Sequence, residues 1–339
     1  MQRRRFIGLS ALAVGGQAFR SLPPARRRAL PLRPGGRIGL VAPASAAPPE
    51  KIRRAEAHVR ALGWVPVRTD VPLLRTGEFA GTDAQRAADL HAMYRRPDVD
   101  GIWAIRGGYG TNRLLDRLDF RLIKRHPKPL VGYSDLTTLL NVIHQRTGSP
   151  CFHGPVAISP PNDYTRARLA PLLGEAPHPI PLAEYPEVDP NVAHVYTYAA
   201  IRPGTVEGPL VGGNLTLLSS LCGTGYLPKA KNAVVFLEDV GESPYRIDRM
   251  LTQLRAAGFF RGVRGIALGI FKGCQQRNPE LRDSYGLLDV LRERLAFFDG
   301  PVGYGFPVGH VDRQCFLPVG ARARLDTRQG LITLLENGY

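Results

Sequence analysis

Four short segments carry residue types that can do chemistry together. The first is Pro129-Leu130-Val131-Gly132-Tyr133-Ser134-Asp135-Leu136-Thr137. An apolar run meets a sharp turn at Ser134, and a helical pattern starts at once. Such a turn lifts a hydroxyl clear of the backbone at a strand's carboxyl end. The N–H of Asp135, in the first turn of the helix, is then a natural donor to an oxyanion. Leu136 stands where the G-x-S-x-G pattern has its second glycine, and a helix N-cap serine is the competing reading of Ser134. The second segment is Arg106-Gly107-Gly108-Tyr109-Gly110, directly after the apolar run Ile102 to Ile105. Its glycines let backbone approach a ligand closely, as a phosphate cradle, as a second oxyanion donor from Gly107 or Gly108, or as a plain tight turn. The fuller G-x-G-x-x-G spacing and a P-loop lysine are missing. The third is Val234-Val235-Phe236-Leu237-Glu238-Asp239, a buried-type strand ending in acids that can orient an imidazole. The fourth is Phe306-Pro307-Val308-Gly309-His310-Val311-Asp312, which places a histidine in a loop that can face a cleft. His153, in Phe152-His153-Gly154-Pro155, is the rival base. Together the segments give the chain order Ser, Glu, His, an order found in other α/β hydrolases.

The elements around these segments define an α/β fold. Strands are expected at 37–41, 64–68, 99–105 and 130–133. Helices are expected at 50–62, from the Gly81-Thr82-Asp83 cap to about 95, at 112–118 and at 136–146. The alternation predicts a parallel, Rossmann-like sheet covered on both faces, with ligands at the carboxyl ends of its strands. From 159 to 203 the pattern fades under nine prolines and reads as an irregular linker. A smaller C-terminal α/β unit, 204–339, follows. Its strands are expected at 233–237, 265–270, 302–304, 321–326 and 331–335, and its helices at 245–257 and 287–296. The nucleophile candidate falls in the first unit, 37–158, and the Glu and His candidates in the second.

Composition narrows the function classes. The chain has 339 residues and a formal net charge of +16. Nine arginines precede the first acidic residue, Glu50, and without them the remainder is only +7. The basicity is therefore concentrated in a leader, residues 1–36, and no basic stretch interleaved with aromatics suggests nucleic-acid binding. Arg3-Arg4-Arg5-Phe6-Ile7 and the Gly- and Ala-rich stretch after it resemble a twin-arginine export signal, with a small-residue cleavage site near Gly16-Gln17-Ala18. Export to the periplasm is expected, with no stable membrane insertion once the signal is removed. A cytoplasmic protein with a basic tail is the alternative. The four cysteines form no C-x-x-C pair and read as buried thiols. No internal repeat is present.

Taken in order, the segments resemble the LD-carboxypeptidase family, which includes muramoyltetrapeptide carboxypeptidases and microcin C immunity carboxypeptidases. The resemblance rests on Val41-Ala42-Pro43-Ala44-Ser45, Ala80-Gly81-Thr82-Asp83, Arg106 to Gly110, Gly132-Tyr133-Ser134-Asp135 and Phe152-His153-Gly154-Pro155. It continues through Gly212-Gly213-Asn214-Leu215, Leu237-Glu238-Asp239-Val240, Tyr245-Arg246-Ile247-Asp248-Arg249-Met250-Leu251 and Pro307-Val308-Gly309-His310. It implies Ser134 as nucleophile, His310 as general base and Glu238 as its orienting acid. It also implies an oxyanion hole of Asp135 and one of Gly107 or Gly108, two domains flanking the site, a homodimer, and no metal or cofactor. The implied reaction cleaves an amide beside a free C-terminal carboxylate, releasing the terminal D-alanine of murein tetrapeptides. Arg106 is expected to pair with that carboxylate and Tyr109 to touch substrate. A carboxypeptidase acting on a peptidyl-nucleotide antibiotic is the second reading, with Tyr164, Tyr185, Tyr196 and Tyr198 as candidates for an aromatic platform. A non-catalytic muropeptide-binding protein is the third.

Overall fold

The computed structural model describes residues 29–174, 180–184, 198–276, 278, 280, 284–336 and 339. The proposed leader signal therefore lies outside the described residues, as do Tyr185 and Tyr196.

Apolar, β-branched runs build the first sheet. β1 (Arg37–Val41), β2 (Val65–Val67), β3 (Gly101–Ala104), β4 (Leu130–Gly132) and β5 (Cys151–His153) are parallel. Helices α1 (Pro49–Ala61), α2 (Asp83–Arg95), α3 (Phe120–Arg125) and α4 (Thr137–Thr147) connect them. Thr82 caps α2 in a capping box with Gln85, as the Gly81-Thr82-Asp83 pattern predicts. The segment expected as a helix near 112–118 is a 3-10 helix, Thr111–Arg117. The strand order β2-β1-β3-β4-β5 reverses direction between β1 and β3, which opens a crevice at the carboxyl ends of those strands.

The expected linker carries more structure than its prolines suggest. It holds the short helices α5 (Asp163–Arg166) and α6 (Ala170–Leu173), then β6 (Ile180–Glu184) and β7 (Ala199–Arg202). Both strands lie at the outer edges of the second sheet, where the proline of β6 is tolerated. That sheet continues with β8 (Thr205–Asn214), helix α7 (Leu215–Ser220), β9 (Val234–Glu238), helix α8 (Pro244–Ala256), β10 (Gly265–Ile270) and helix α9 (Leu287–Arg294). It is completed by β11 (Val302–Gly309), β13 (Arg322–Asp326) and β14 (Leu331–Leu334). Strands β8 to β11 are mutually parallel, and antiparallel strands flank them. The second unit, expected to be the smaller, has the wider sheet of the two among the described residues: eight strands against six.

The sixth strand of the first sheet, β12 (Leu317–Val319), comes from the far end of the chain and pairs antiparallel with β5. A hydrophobic cluster spans both sheets, bringing Leu136, Leu140 and Cys151 together with Phe236, Phe306 and Val308. The chain is thus of mixed α/β build with the two sheets joined through one core. The four cysteines are free thiols, Cys222 partly exposed and the others buried. Among the described residues no helix is long and apolar enough to cross a membrane.

One buried acid gives the fold a measurable pH dependence. Asp89 on α2 accepts a hydrogen bond from Thr69 Oγ1 at 2.5 Å, and burial pushes its carboxyl up to about 6. The folded protein keeps this proton at pH values where the unfolded chain has lost it. The group's contribution to stability is full below about pH 4 and is lost as pH rises through about 6. Asp89→Asn should match wild type near pH 4 and exceed it by on the order of 2 kcal/mol at pH 7.5, measured by urea unfolding. Equal differences at both pH values would contradict this.

Candidate active site

Ser134 follows β4 directly and opens a 3-10 turn, Ser134–Leu136, that runs into α4. Its φ is +64°, a value uncommon for a residue with a Cβ. This is the local strain of a nucleophile elbow, and it aims the side chain outward from the strand end. Gly107 lies against it. A Cβ on Gly107 would stand 3.1 Å from the Ser134 Cβ, a tight contact that would press on the elbow.

His310 is the first residue after β11, which runs on to Gly309 rather than ending near Tyr304 as the sequence suggests. A register shift between Leu268 and Ile270 lets β10 follow the longer strand. Gly309 has φ +112°, and a Cβ there would fall 2.7 Å from Glu238 Oε2. The imidazole lies between the two units. Its Nε2 is 3.0 Å from Ser134 Oγ, and its Nδ1 is 2.8 Å from Glu238 Oε2. With Nδ1 carrying the proton, His310 donates to Glu238 and its Nε2 accepts from the serine hydroxyl. Glu238 ends β9 and is fully buried. The structure therefore brings Ser134, Glu238 and His310 together from three strand ends in two sheets. Tyr133 packs edge-on to the His310 ring at 4.9 Å between centroids, and burial pushes its hydroxyl up to about 12.

Side chains that the sequence does not single out hold this arrangement. Asp135 is buried and accepts from the Thr111 N–H at 2.9 Å, while Thr111 Oγ1 donates to the Asp135 carbonyl. The glycine loop is thereby tied to the elbow. Burial raises the Asp135 carboxyl despite these donors. Thr137, the first residue of α4, accepts from the Asn214 N–H through its Oγ1 at 2.9 Å and so links the elbow to the second sheet. Asn214 Nδ2 donates to Asp239 at 3.1 Å. Asp239 also accepts from Thr216 N, Thr216 Oγ1 and Val240 N, and burial followed by the Glu238 charge pushes it up to about 6. Of the two adjacent acids, Glu238 faces the imidazole and Asp239 anchors the start of α7. The sequence signal for this network is the Gly-Gly-Asn run before a helix, which reads as an N-cap, and Asn214 does cap α7.

The remaining expected residues occupy distinct places. Gly107 and Gly108 lie in the loop beside Ser134, and Gly108 packs against Ser45, whose Oγ accepts from the Tyr109 N–H at 3.0 Å. Tyr109 itself is 58% exposed, its ring beside Phe79. Arg106 donates from Nη1 to the Ala46 carbonyl at 3.0 Å and from Nε to the Gly107 carbonyl at 3.2 Å, holding the loop after β1 against the glycine loop. His153, the rival base, is buried against Tyr133 and makes no hydrogen bond to Ser134. A cleft of about 610 Å³ opens beside the triad, with His310, Tyr133, Val240, Asp312 and Lys272 among its walls.

A hydroxyl on a strained elbow, hydrogen-bonded to an imidazole that is itself held by a buried carboxylate, is the arrangement of a serine hydrolase. The family affiliation is specific. Residues 38–154 match the LD-carboxypeptidase N-terminal domain and residues 207–325 the LD-carboxypeptidase C-terminal domain. The chain is 36% identical over 304 residues to a Bacillus subtilis protein named "Probable murein peptide carboxypeptidase", covering 88% of this chain and 91% of that one. It is 36% identical over 303 residues to the murein tetrapeptide carboxypeptidase of Pseudomonas aeruginosa, covering 86% and 93%. The solved structure of the microcin C7 self-immunity protein MccF in its apo state superposes with a TM-score of 0.80 at 25% identity, covering 91% of this chain and 98% of that one. The chain belongs to the LD-carboxypeptidase family and is a serine-type peptidase.

Proposed function

We propose that the protein hydrolyses the amide that joins the L-centre of a diamino acid to a terminal D-alanine in murein tetrapeptides, with Ser134, His310 and Glu238 as the catalytic triad. The observation that carries this is the pair of contacts made by His310, 3.0 Å to Ser134 Oγ and 2.8 Å to Glu238 Oε2. Ser134 Oγ attacks the carbonyl carbon while His310 Nε2 takes the hydroxyl proton. Glu238 steadies the imidazolium and keeps Nε2 pointed at the serine. The oxyanion is held by the Asp135 N–H, in the first turn of its helix where no intrahelical acceptor exists, and by an N–H of the Gly107-Gly108 loop. His310 then passes the proton to the leaving amine of D-alanine. A water molecule, deprotonated by the same nitrogen, releases the acyl group.

A carboxypeptidase needs a cation for the substrate's free carboxylate. Arg106, expected for this role, has two of its donor nitrogens engaged by loop carbonyls. Lys272 lines the cleft beside His310 and is the better counter-charge, while Asp312 on the same cleft suits the free amine of a diamino acid. Lys272→Ala should raise KM about tenfold with kcat kept within about threefold, since a charge-assisted hydrogen bond is worth about 1.5–3 kcal/mol. An unchanged KM would return the role to Arg106.

The likeness to MccF, also solved in complex with aspartyl sulfamoyl adenosine, favours a second reading, a peptidyl-nucleotide substrate. Of the described tyrosines named for a nucleobase platform, Tyr198 donates to the Thr327 carbonyl and packs on Phe306, and the Tyr164 ring lies 3.6 Å from the Arg168 guanidinium carbon. Both are engaged within the fold, and the other two candidates lie outside the described residues. Assaying D-alanine release from a purified murein tetrapeptide beside cleavage of an aminoacyl sulfamoyl nucleoside separates the two. Cleavage of the nucleoside alone would overturn the first.

Twin-arginine export and a homodimer complete the proposal. Lysine at all three of positions 3, 4 and 5 should leave the protein in the cytoplasm on cell fractionation, where wild type is periplasmic. An unchanged distribution would favour the cytoplasmic alternative.

A further inference from the structure

His153 is the histidine for which the triad has no use, and its surroundings are unusual for so polar a ring. It ends β5 and pairs in register with Gly132 on β4 and Leu317 on β12, in the middle of sheet pairing. It is fully buried, and among the described residues neither Nδ1 nor Nε2 has a hydrogen-bond partner. Leaving a buried donor unpaired costs about 1–3 kcal/mol, so a bare histidine at this position would be a net burden on the fold.

A matching acceptor lies on the same face of the neighbouring structure. Glu238 uses Oε2 for His310, and its Oε1 is buried without a partner among the described residues. Phe236, two residues before Glu238 on β9, packs edge-on to the His153 ring at 5.2 Å between centroids. Residues i and i+2 of a strand share a face, so Glu238 projects from β9 on the side where His153 lies. Tyr133 closes the group, its ring 6.0 Å from His153 and 4.9 Å from His310. The unpaired ring and the unpaired carboxylate oxygen thus belong to one buried group beneath the triad, close enough for the Glu238 charge to act on His153.

We propose that His153 is a positioning residue for the triad acid: its ring N–H reaches Glu238 Oε1 through one water molecule and holds the carboxylate fixed in rotation. This rests on the triad reading above. The titratable groups around the pair are Tyr133 from the β4 end, His310 from the β11 end, Asp239 just past the end of β9 and Asp312 beyond His310. Burial pushes His153 down to about 4, with the Glu238 charge opposing and the His310 charge adding, so the ring stays neutral at working pH and offers one N–H. A neutral donor is what a buried carboxylate needs if His310 is to be the cation formed in the reaction. Charge on both histidines would divide the attraction of Glu238 between them.

Removing the donor leaves Glu238 with more charge on the oxygen that faces His310. That change moves the acid limb of kcat/KM upward. His153→Phe, which keeps the ring packing, should lower kcat about tenfold or more, keep KM within about twofold, and shift that limb by about one pH unit. His153→Gln, which restores an N–H donor without titrating, should recover most of kcat and return the limb. A limb and kcat unchanged in His153→Phe, or His153→Gln no better than His153→Phe, would overturn the proposal. A readout on the wild-type protein covers the case in which the variants fail to fold. With 15N-labelled histidine, His153 should remain neutral from pH 5 to 8 and show one slowly exchanging, hydrogen-bonded N–H, whether or not any substrate is turned over. A His153 that titrates in this range, or whose ring N–H is not hydrogen-bonded, would overturn it. Failure of the triad itself would show instead as an active Ser134→Ala.

Discussion

Ser134→Ala and His310→Ala should each lower kcat by about 10⁶-fold, and the double variant should be no worse than either alone. The reason lies in how the two atoms share one event. The hydroxyl is a poor nucleophile until Nε2, 3.0 Å away, accepts its proton as the bond to carbon forms. Deleting either member removes the same step, so the losses do not add. Residual turnover above the uncatalysed reaction should persist, because the backbone donors at Asp135 and the Gly107-Gly108 loop do not depend on these side chains. Ser134→Ala should also fold well, since alanine at φ +64° replaces a residue that already bears the cost of that conformation. Rapid-quench kinetics of single and double variants on one substrate provide the measurement. Losses that multiply in the double variant would show that the two residues act independently.

Glu238→Gln should lower kcat by about 10⁴-fold while leaving KM within a few-fold of wild type. Glutamine keeps the size and the contact with His310 but reverses its sense, because its amide can donate to Nδ1. The proton then sits on Nε2, and the nitrogen facing Ser134 can no longer accept. The neighbouring charge of Asp239 cannot stand in. It is committed to Asn214, Thr216 and Val240 and faces away from the imidazole. Only a buried, fully enclosed acid makes the effect this large, since solvent would otherwise let the ring reorient. Retained activity in Glu238→Gln at pH 7.5 would mean that the carboxylate is not the orienting group.

The chemistry-bearing turns were legible in the sequence because each marks an abrupt change of pattern. Leu130 to Gly132 is an apolar run stopped by Tyr-Ser-Asp, and Val234 to Leu237 is one stopped by Glu-Asp, so the strand ends and their side chains announce themselves. The sheet around them was harder to read. β8 contains Gly208, Pro209, Gly212 and Gly213, a composition that signals loop, yet it forms a central strand of the second sheet. There the glycines permit contact with neighbouring backbone and with Thr137. β12 is three residues long and is a strand only because β5 offers it an edge, which no local pattern encodes. β11 reads as ending near Tyr304 because Gly305 and Pro307 interrupt it, but pairing with β10 carries it to Gly309 and sets His310 at its end. The supporting contacts of Asp135, Thr137 and Asn214 join segments distant in the chain, and their residue types suit caps and turns equally well. His153 shows the same limit. Its type and strand-end position nominate it as a base, and only its burial under Tyr133 removes it from that role.

The most direct test of the account is the site of covalent capture. The purified protein, incubated with a serine-reactive phosphonate at pH 7.5, is digested and its peptides are weighed by mass spectrometry. The account expects one phosphonyl group, carried by the peptide that contains Ser134, with loss of activity in step with labelling and no adduct in Ser134→Ala. An adduct on another residue, or full activity in a protein stoichiometrically labelled at Ser134, would contradict it.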